Sequence, residues 1–281
     1  MQKRAIAVHD ISCVGRCSLT VALPVLSAAG LNTAIVPTAL LSTHTGGFTG
    51  FTHLDLTSQL RPIADHIATL GLHFDAFYSG YLASGAQVND VLYMIDALCD
   101  DQSHIFVDPA FADNGKMYAL MDETMPGQMR RLCERADTII PNLTEACLIL
   151  GIPYPGADAT EDTVREICAA LQKLGPQNVI VTDVNYYRDK VGVAVQQQGA
   201  DPVFLYRSRL PGSFHGTGDV LASLLLGALM NGRNPVESTN IALDFTHLSI
   251  EKTIESSIET RYGVEFETLL PDYGRLLISQ R

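Results

Sequence analysis

The sequence predicts an α/β fold: a mainly parallel sheet covered by helices, with an antiparallel hairpin at one edge. Three observations predict it. Short apolar runs rich in β-branched residues alternate with longer segments of helical period, the order that builds parallel strands joined by crossover helices. Glycines follow the helical segments, where a helix C-terminus prefers them. Late in the chain, two strand-like runs adjoin across a short polar link.

In chain order, strands are expected over residues 4–8, 33–36, 76–79, 105–107, 138–140 and 179–181. Helices are expected over residues 18–29, 57–70, 86–98, 126–135, 144–150 and 162–174, with Gly30, Gly71, Gly151 and Gly175 closing four of them. Residues 190–196 and 203–207, joined around Gly199-Ala200-Asp201, form the expected edge hairpin. The run from Val220 to Met230 is apolar on nearly every side, so that helix should be buried at the centre. No long linker, repeat or low-complexity tract interrupts the chain, and residues 1–281 are expected to form one domain.

Composition narrows the function. With 47% hydrophobic and 18% charged residues, a disordered chain is excluded. The balance of 19 Lys and Arg against 31 Asp and Glu, net −12, argues against a general nucleic-acid binder, which needs clustered positive charge. An anionic ligand must then be held locally, by backbone amides, a metal or a few placed cations. The apolar stretch over residues 5–8 ends at His9-Asp10, too soon for a signal-peptide core, and no span has the length of a membrane helix. A cytoplasmic protein without membrane partners is expected. The six cysteines (Cys13, Cys17, Cys99, Cys133, Cys147, Cys168) include no Cys-x-x-Cys pair, so neither a disulfide framework nor a zinc site is suggested. Cys13 and Cys17 read as reduced thiols beside a core helix.

The most informative segment is Pro211-Gly-Ser-Phe-His-Gly-Thr-Gly-Asp219, which opens the apolar helix. The amides of Gly216, Thr217 and Gly218 would face outward and, with the helix dipole, stabilise a transferring phosphoryl group. Asp219, in the first turn, would stay ionised and accept a proton from an attacking hydroxyl. Without function, the same residues are a Gly-rich turn with an acid near a helix start. A second constellation, Asn142-Leu-Thr-Glu145, follows the strand at 138–140 and opens a helix, at the sheet edge where open α/β folds bind ligands. Glu145 could position Mg²⁺ through its waters, or be merely a polar first-turn residue. His9-Asp10-Ile-Ser12 is expected to follow the first strand, and Asp108-Pro109 the strand at 105–107, with Asp113-Asn114-Gly115 nearby. Thr43-His-Thr-Gly-Gly47 could cover a ligand, with His44 open to a surface reading. No Gly-x-x-x-x-Gly-Lys-[Ser/Thr] run is present, which argues against a P-loop kinase.

Asn142-Leu-Thr-Glu145 and Gly216-Thr-Gly-Asp219, in this order and separation, resemble the two signature motifs of the ribokinase-like superfamily. The stretch from His9 to Pro24, the loop from Leu41 to Phe48 and the run from Asp108 to Tyr118 are similar to its pyridoxal (pyridoxamine) kinase branch. The likeness runs from about Ala5 to Met230. It implies a three-layer ribokinase-like fold, helices on both sides of the sheet, usually as a homodimer. It also implies ATP-dependent phosphorylation of the 5′-hydroxymethyl group of a vitamin B6 vitamer, using Mg²⁺ and a monovalent cation, K⁺ or Na⁺. By similarity, Asp219 is the base and Gly216, Thr217 and Gly218 form the anion hole. Glu145 with Asn142 would organise metal and phosphates, and Asp108 and Asp113 would face the phosphates or the metal. Ser12, Thr45 and Tyr81 match positions lining the vitamer pocket, with Asp10 close by. Thr182 and the segment Arg209, Leu210, Pro211, Gly212 fall where the family holds the nucleotide.

Two departures leave substrate choice open. The run Ser12-Cys-Val-Gly-Arg16 is shorter than in many pyridoxal kinases, and the Asp10-x-Ser12 spacing is similar to that of hydroxymethylpyrimidine kinases, yet those commonly carry a cysteine where this chain has Asp219. The alternatives are a pyrimidine or sugar kinase of the same superfamily, and a non-catalytic protein binding a small ligand in the same pocket.

Overall fold

The computed structural model describes residues 2–118 and 121–278. The chain opens with β1 (Arg4–Val14), α1 (Leu19–Ala28), β2 (Asn32–Thr43), β3 (His53–Asp55), α2 (Thr57–Thr69), β4 (Ala76–Ser79) and α3 (Gly85–Leu98). It continues through β5 (His104–Val107), the short β6 (Ala112–Asp113) and β7 (Lys116–Met117), α4 (Met125–Cys133), β8 (Thr138–Ile139), α5 (Leu143–Leu150) and α6 (Glu161–Gln172). Then come β9 (Asn178–Val181), β10 (Lys190–Gln197), β11 (Val203–Ser208), α7 (Thr217–Met230), α8 (Pro235–Ser256) and α9 (Leu270–Ile278). Two compact units emerge: one takes the chain up to Tyr78, Tyr93–Ser103 and the chain from Leu210 on, the other Ser79–Leu92 and His104–Arg209. No helix of the described residues is long and apolar enough to cross a membrane.

In the first unit the strand order is β4-β1-β2-β3. β1 and β2 run parallel from Arg4↔Asn32 to Val14↔Thr43, and β3 is antiparallel to β2. Residues Ala5 to Val8 are completely buried, as a strand covered on both faces should be. β1 does not stop there. It runs on to Val14, so His9, Asp10 and Ser12 lie within the strand rather than after it. The polar residues interrupt the apolar pattern without ending the ladder, because a register shift between His9 and Ile11 absorbs Pro37, which pairs with His9 and has no amide to donate.

α7 is buried along its length, as its composition predicts, and packs on α1 and α8. It is the last element expected from the sequence. Beyond it the structure adds α8, opened by Asn234, whose side chain accepts the Glu237 amide at 2.9 Å, and α9. From α9 the fully buried Tyr273 reaches over α7 and donates its hydroxyl to the Leu224 carbonyl at 2.6 Å. It can do so because residue 227 is glycine, where a Cβ would run into the Tyr273 hydroxyl and lie 2.8 Å from Ala29 Cβ.

In the second unit the order is β11-β10-β9-β8-β5. β5, β8 and β9 are parallel, while β9–β10 and β10–β11 are antiparallel, so the expected edge hairpin is present from Lys190↔Ser208 to Val195↔Val203. The fold class is therefore the expected one, parallel strands with covering helices and an antiparallel edge. The glycines expected to end helices carry positive φ: 83° at Gly30, 61° at Gly71, 67° at Gly151 and 139° at Gly175. One hairpin was not expected. β6 and β7 are joined by Asn114 (φ 51°) and Gly115 (φ 77°), the two left-handed residues of a type I′ turn.

The Tyr273 bridge makes a quantitative expectation. Gly227→Ala should lower unfolding free energy by about 1–3 kcal/mol through overpacking, despite alanine's better helix propensity. Adding Tyr273→Phe should recover part of the loss, because the clash is with the hydroxyl; additive losses in denaturant titrations of the double variant would refute this account.

Candidate functional site

The N-terminus of α7 is fixed by a close backbone approach. Gly216 has φ 75° and lies so near the Arg16 carbonyl oxygen that no Cβ fits between them. Two residues on, nothing lies within 4 Å of where a Gly218 Cβ would stand, so the amide end of the helix faces open space. The first amides of a helix have no intrahelical acceptor, and the dipole adds positive character there. Gly216, Thr217 and Gly218 thus form a surface that can receive an anion.

Asp219, in the first turn of α7, keeps part of its surface open, and the Ser18 main-chain N–H favours the charged form of its carboxylate. Burial pushes its carboxyl up to about 6, with a further push from Asp10. The dipole alone would hold the group fully ionised, as the sequence suggests; burial outweighs it. Asp10 is 5% exposed and its own carboxyl is raised by burial. The Ser18 hydroxyl donates to Asp10 Oδ1 at 2.6 Å, and the Ser12 hydroxyl reaches Oδ2 at the long distance of 3.5 Å. Ser12 is fully buried. His9 is sealed too: neither ring nitrogen has a partner, its ring meets Tyr78 edge-on at 4.3 Å, and burial drives its pKa down to about 3.

The loop after β2 folds over this end of the unit. His44 is not a free surface residue. Its Nδ1 accepts the Gly46 amide at 3.1 Å, so Nε2 carries the proton and donates to the Arg261 carbonyl at 2.6 Å. His215 lies against the α-carbon of Gly46, where a Cβ would stand 2.6 Å from its ring. Thr45, between them, is exposed. On the segment leading to α7, Leu210 is half-buried while Pro211 and Gly212 are exposed. Cys13 is exposed at the end of β1 rather than shielded beside a core helix; Cys17 is buried, and all six cysteines are free thiols.

The second unit gathers most of the other candidates. Asn142 caps α5: its side chain accepts the Glu145 amide at 2.9 Å, while Glu145 Oε2 accepts the Asn142 amide at 2.8 Å. Glu145 Oε1 also accepts the amides of Phe111 and Ala112, at 3.1 and 3.3 Å, and Asn142 Nδ2 donates to the Ala112 carbonyl at 2.8 Å. Thr144 accepts the Gly115 amide at 2.9 Å, so the α5 turn and the Phe111–Gly115 segment are stitched together. Thr182 pairs with Asn142 as an isolated parallel bridge. Asp108 is half-buried and Asp113 exposed at the tip of β6. Arg209 is exposed, and its guanidinium donates to the Lys190 carbonyl at 3.3 Å. Tyr81, on the loop after β4, is half-buried.

The fit of a divalent cation can be tested on the acids. Burial, then the charge of Asp108, pushes Glu145 well above the usual carboxylate range against the pull of three amides. Two hard oxygen donors held in mutual repulsion suit Mg²⁺, which would relieve it and needs few protein ligands beside nucleotide phosphates. Among the described residues no group of three or more His, Cys, Asp and Glu is arranged as a self-sufficient metal cage. The sequence reading missed two residues here. Ser18 reads as the first residue of an ordinary helix. Asp183, at φ 59°, is raised by burial and by Asp113 while Asn185 and Arg209 pull it down; its left-handed backbone leaves no sequence signal.

The phosphomethylpyrimidine kinase family model matches residues 22–263. A Bacteroides thetaiotaomicron protein assigned to the same kinases, crystallised with pyridoxal, is 36% identical over 97% of this chain and 96% of its own, with a TM-score of 0.92. The pyridoxal kinase from Lactobacillus plantarum is 32% identical, with 98% of each chain covered and a TM-score of 0.90. An Arabidopsis thaliana pyridoxal kinase is 26% identical over 162 residues, 56% of this chain; the match spans about half of that relative, 51%.

The raised carboxyl of Asp219 has a consequence for stability. Its folded value of about 6 exceeds the reference 3.8, so its contribution to stability is complete at low pH and is lost as pH rises through 6. Asp219→Asn should therefore unfold at a higher temperature than wild type at pH 7–8, by up to about 3 kcal/mol in free energy, with the gap closing toward pH 4. Thermal melts at several pH values test this; a gap that stayed constant or widened on acidification would contradict it.

Proposed function

We propose that this chain, which belongs to the phosphomethylpyrimidine kinase family, is an ATP-dependent kinase that phosphorylates the 5′-hydroxyl of a vitamin B6 vitamer: pyridoxal, pyridoxamine or pyridoxine. The observation that carries the proposal is the placement of Asp219, a partly open and weakly satisfied carboxylate on the same helix end as the Gly216–Gly218 amides. The relative crystallised with pyridoxal supports the choice of substrate class.

In this reading Asp219 accepts the proton of the vitamer hydroxyl as that oxygen attacks the γ-phosphorus in line, and the 216–218 amides receive the charge on the transferring group. A base titrating near 6 is mostly ionised at neutral pH yet basic enough to take a proton, close to the match that general-base catalysis favours. Asp10, Ser12, Thr45 and Tyr81 serve vitamer binding, with Ser12 acting through Asp10. Asn142, Asp113, Thr182 and the segment from Arg209 to Gly212 serve the nucleotide. Mg²⁺, held through Asp108 and Glu145, would neutralise phosphate charge. A homodimer, a cytoplasmic setting and a K⁺ or Na⁺ requirement belong to the same proposal and rest on the family likeness.

A second reading, a hydroxymethylpyrimidine kinase, is favoured by the name of the matching family model and by the Asp10-x-Ser12 spacing. Asp219, where those enzymes commonly carry cysteine, weighs against it. ATP turnover with each vitamer, an aminopyrimidine and a sugar, with products identified by mass spectrometry, separates the readings. Phosphorylated vitamer is expected; phosphate transfer to the pyrimidine alone would support the second reading, and binding without turnover a carrier. Asp219→Asn should cut vitamer turnover by about 10²–10⁴-fold with vitamer affinity largely kept. Near-native turnover would remove the base assignment.

A further inference from the structure

Ser18 stands immediately before α1, where a serine normally takes an extended backbone and accepts an amide of the first turn. It does neither. Its φ of 51° and ψ of −129° mirror the first central residue of a type II turn, a conformation that suits glycine, and its side chain makes no capping hydrogen bond. The hydroxyl is turned away to Asp10 Oδ1 at 2.6 Å, and the amide of the same residue favours the charged form of Asp219, whose helix end packs through Gly216 against the Arg16–Cys17 backbone just ahead of Ser18. One residue thus acts on two acids, one on β1 and one on α7. Strain of this kind is maintained where the surroundings require it, and what serine supplies here that glycine would not is the hydroxyl.

We propose that Ser18 is a positioning residue for phosphoryl transfer, fastening Asp219 with its amide and Asp10 with its hydroxyl so that the two carboxylates share one buried site. The proposal rests on the reading of Asp219 as proton acceptor. The hydroxyl favours the charged form of Asp10, and a charged Asp10 makes Asp219 the stronger base. The other titratable groups facing this pair are few. Cys17, ahead of α1, has its thiol pushed up to about 12 by burial and then by Asp219, so it stays neutral; His44, on the loop after β2, pulls Asp10 down only when its ring is protonated.

Ser18→Gly and Asp10→Asn test this from opposite ends. In Ser18→Gly the backbone strain is relieved, so the melting temperature should not fall, yet Asp10 loses its donor and takes up a proton more readily. In Asp10→Asn the like charge is removed outright. In both, the Asp219 carboxyl, followed by ¹³C NMR in the free enzyme, should titrate at least about half a pH unit lower than in wild type. The acid limb of the kcat profile with pyridoxal and ATP should move the same way, and kcat at neutral pH should drop about tenfold in Ser18→Gly with KM changed less than twofold. Ser18→Ala, which keeps the strain and lacks the hydroxyl, should match Ser18→Gly in titration while melting lower. An unmoved Asp219 titration in Ser18→Gly and Asp10→Asn would overturn the proposal. The NMR measurement needs no substrate, so it decides this point even if no vitamer proves to be phosphorylated.

Discussion

The closeness of the Arg16 carbonyl to Gly216 governs the candidate site in the first unit. The segment between β1 and α1 is gripped from two sides. Gly216 presses on the Arg16 carbonyl from α7, and at Gly263, φ 84°, a Cβ would stand 2.7 Å from the same oxygen. The Arg16 amide donates to the Tyr262 carbonyl at 3.0 Å, which closes the grip. With both glycines in place, Ser18 falls where its amide meets the first turn of α7 and its hydroxyl meets β1. The amides of Gly216 to Gly218, the carboxylate of Asp219 and the buried end of β1 are therefore set by one short stretch of backbone. A side chain at either glycine would have to move that backbone, and every polar contact that depends on it.

The chain accepts an energetic cost at this place. A non-glycine residue held in a rare backbone region costs about 1–3 kcal/mol, and the lost cap on α1 adds about 1 kcal/mol. Asp219 and Asp10 are both raised by burial, so keeping them charged opposes folding at neutral pH. His9, with neither ring nitrogen partnered, lies one residue from Asp10. These costs fall within a few residues of one helix end, while the rest of α7 is packed apolar core. Stability is supplied by burial along α7 and β1 and is drawn down where the chemistry is proposed.

Much of this was legible in the sequence, and what was not has a physical cause. The parallel strands, their helices and the edge hairpin follow from periodicity and from glycines at helix ends. That Gly216 opens a buried helix and Asp219 lies in its first turn was legible, because the Gly-rich segment stands directly ahead of an all-apolar run. The end of β1 was misplaced because His9 and Asp10 look like a loop, whereas a strand buried on both faces can carry polar groups if they find partners, and only Asp10 does. The β6–β7 hairpin carried its Asn114-Gly115 signal but only two residues of strand on each side. α8 had its Asn-Pro start and a Glu in the first turn. Ser18 could not be read, because its positive φ leaves no sequence signal and the segment it follows is held by Gly216 and Gly263, both far away in sequence.

The two acidic motifs differ in a way that sorts their chemistry. Glu145 accepts three backbone amides, through both of its oxygens, inside a reciprocal cap with Asn142. Most of its lone pairs are committed, and taking up a proton would set an O–H against those donors. Such a group holds geometry, while burial and Asp108 push its carboxyl well above the usual range, so that a cation beside it is what would keep it charged. Asp219 has one amide, that of Ser18, favouring its charged form, and keeps part of its surface open beside helix amides. Its remaining lone pairs are available, and its neutral form is accessible near neutral pH. Of the two carboxylates, the one the fold leaves under-satisfied is the better placed for the proposed proton transfer, and the saturated one for holding a cation that neutralises phosphate charge.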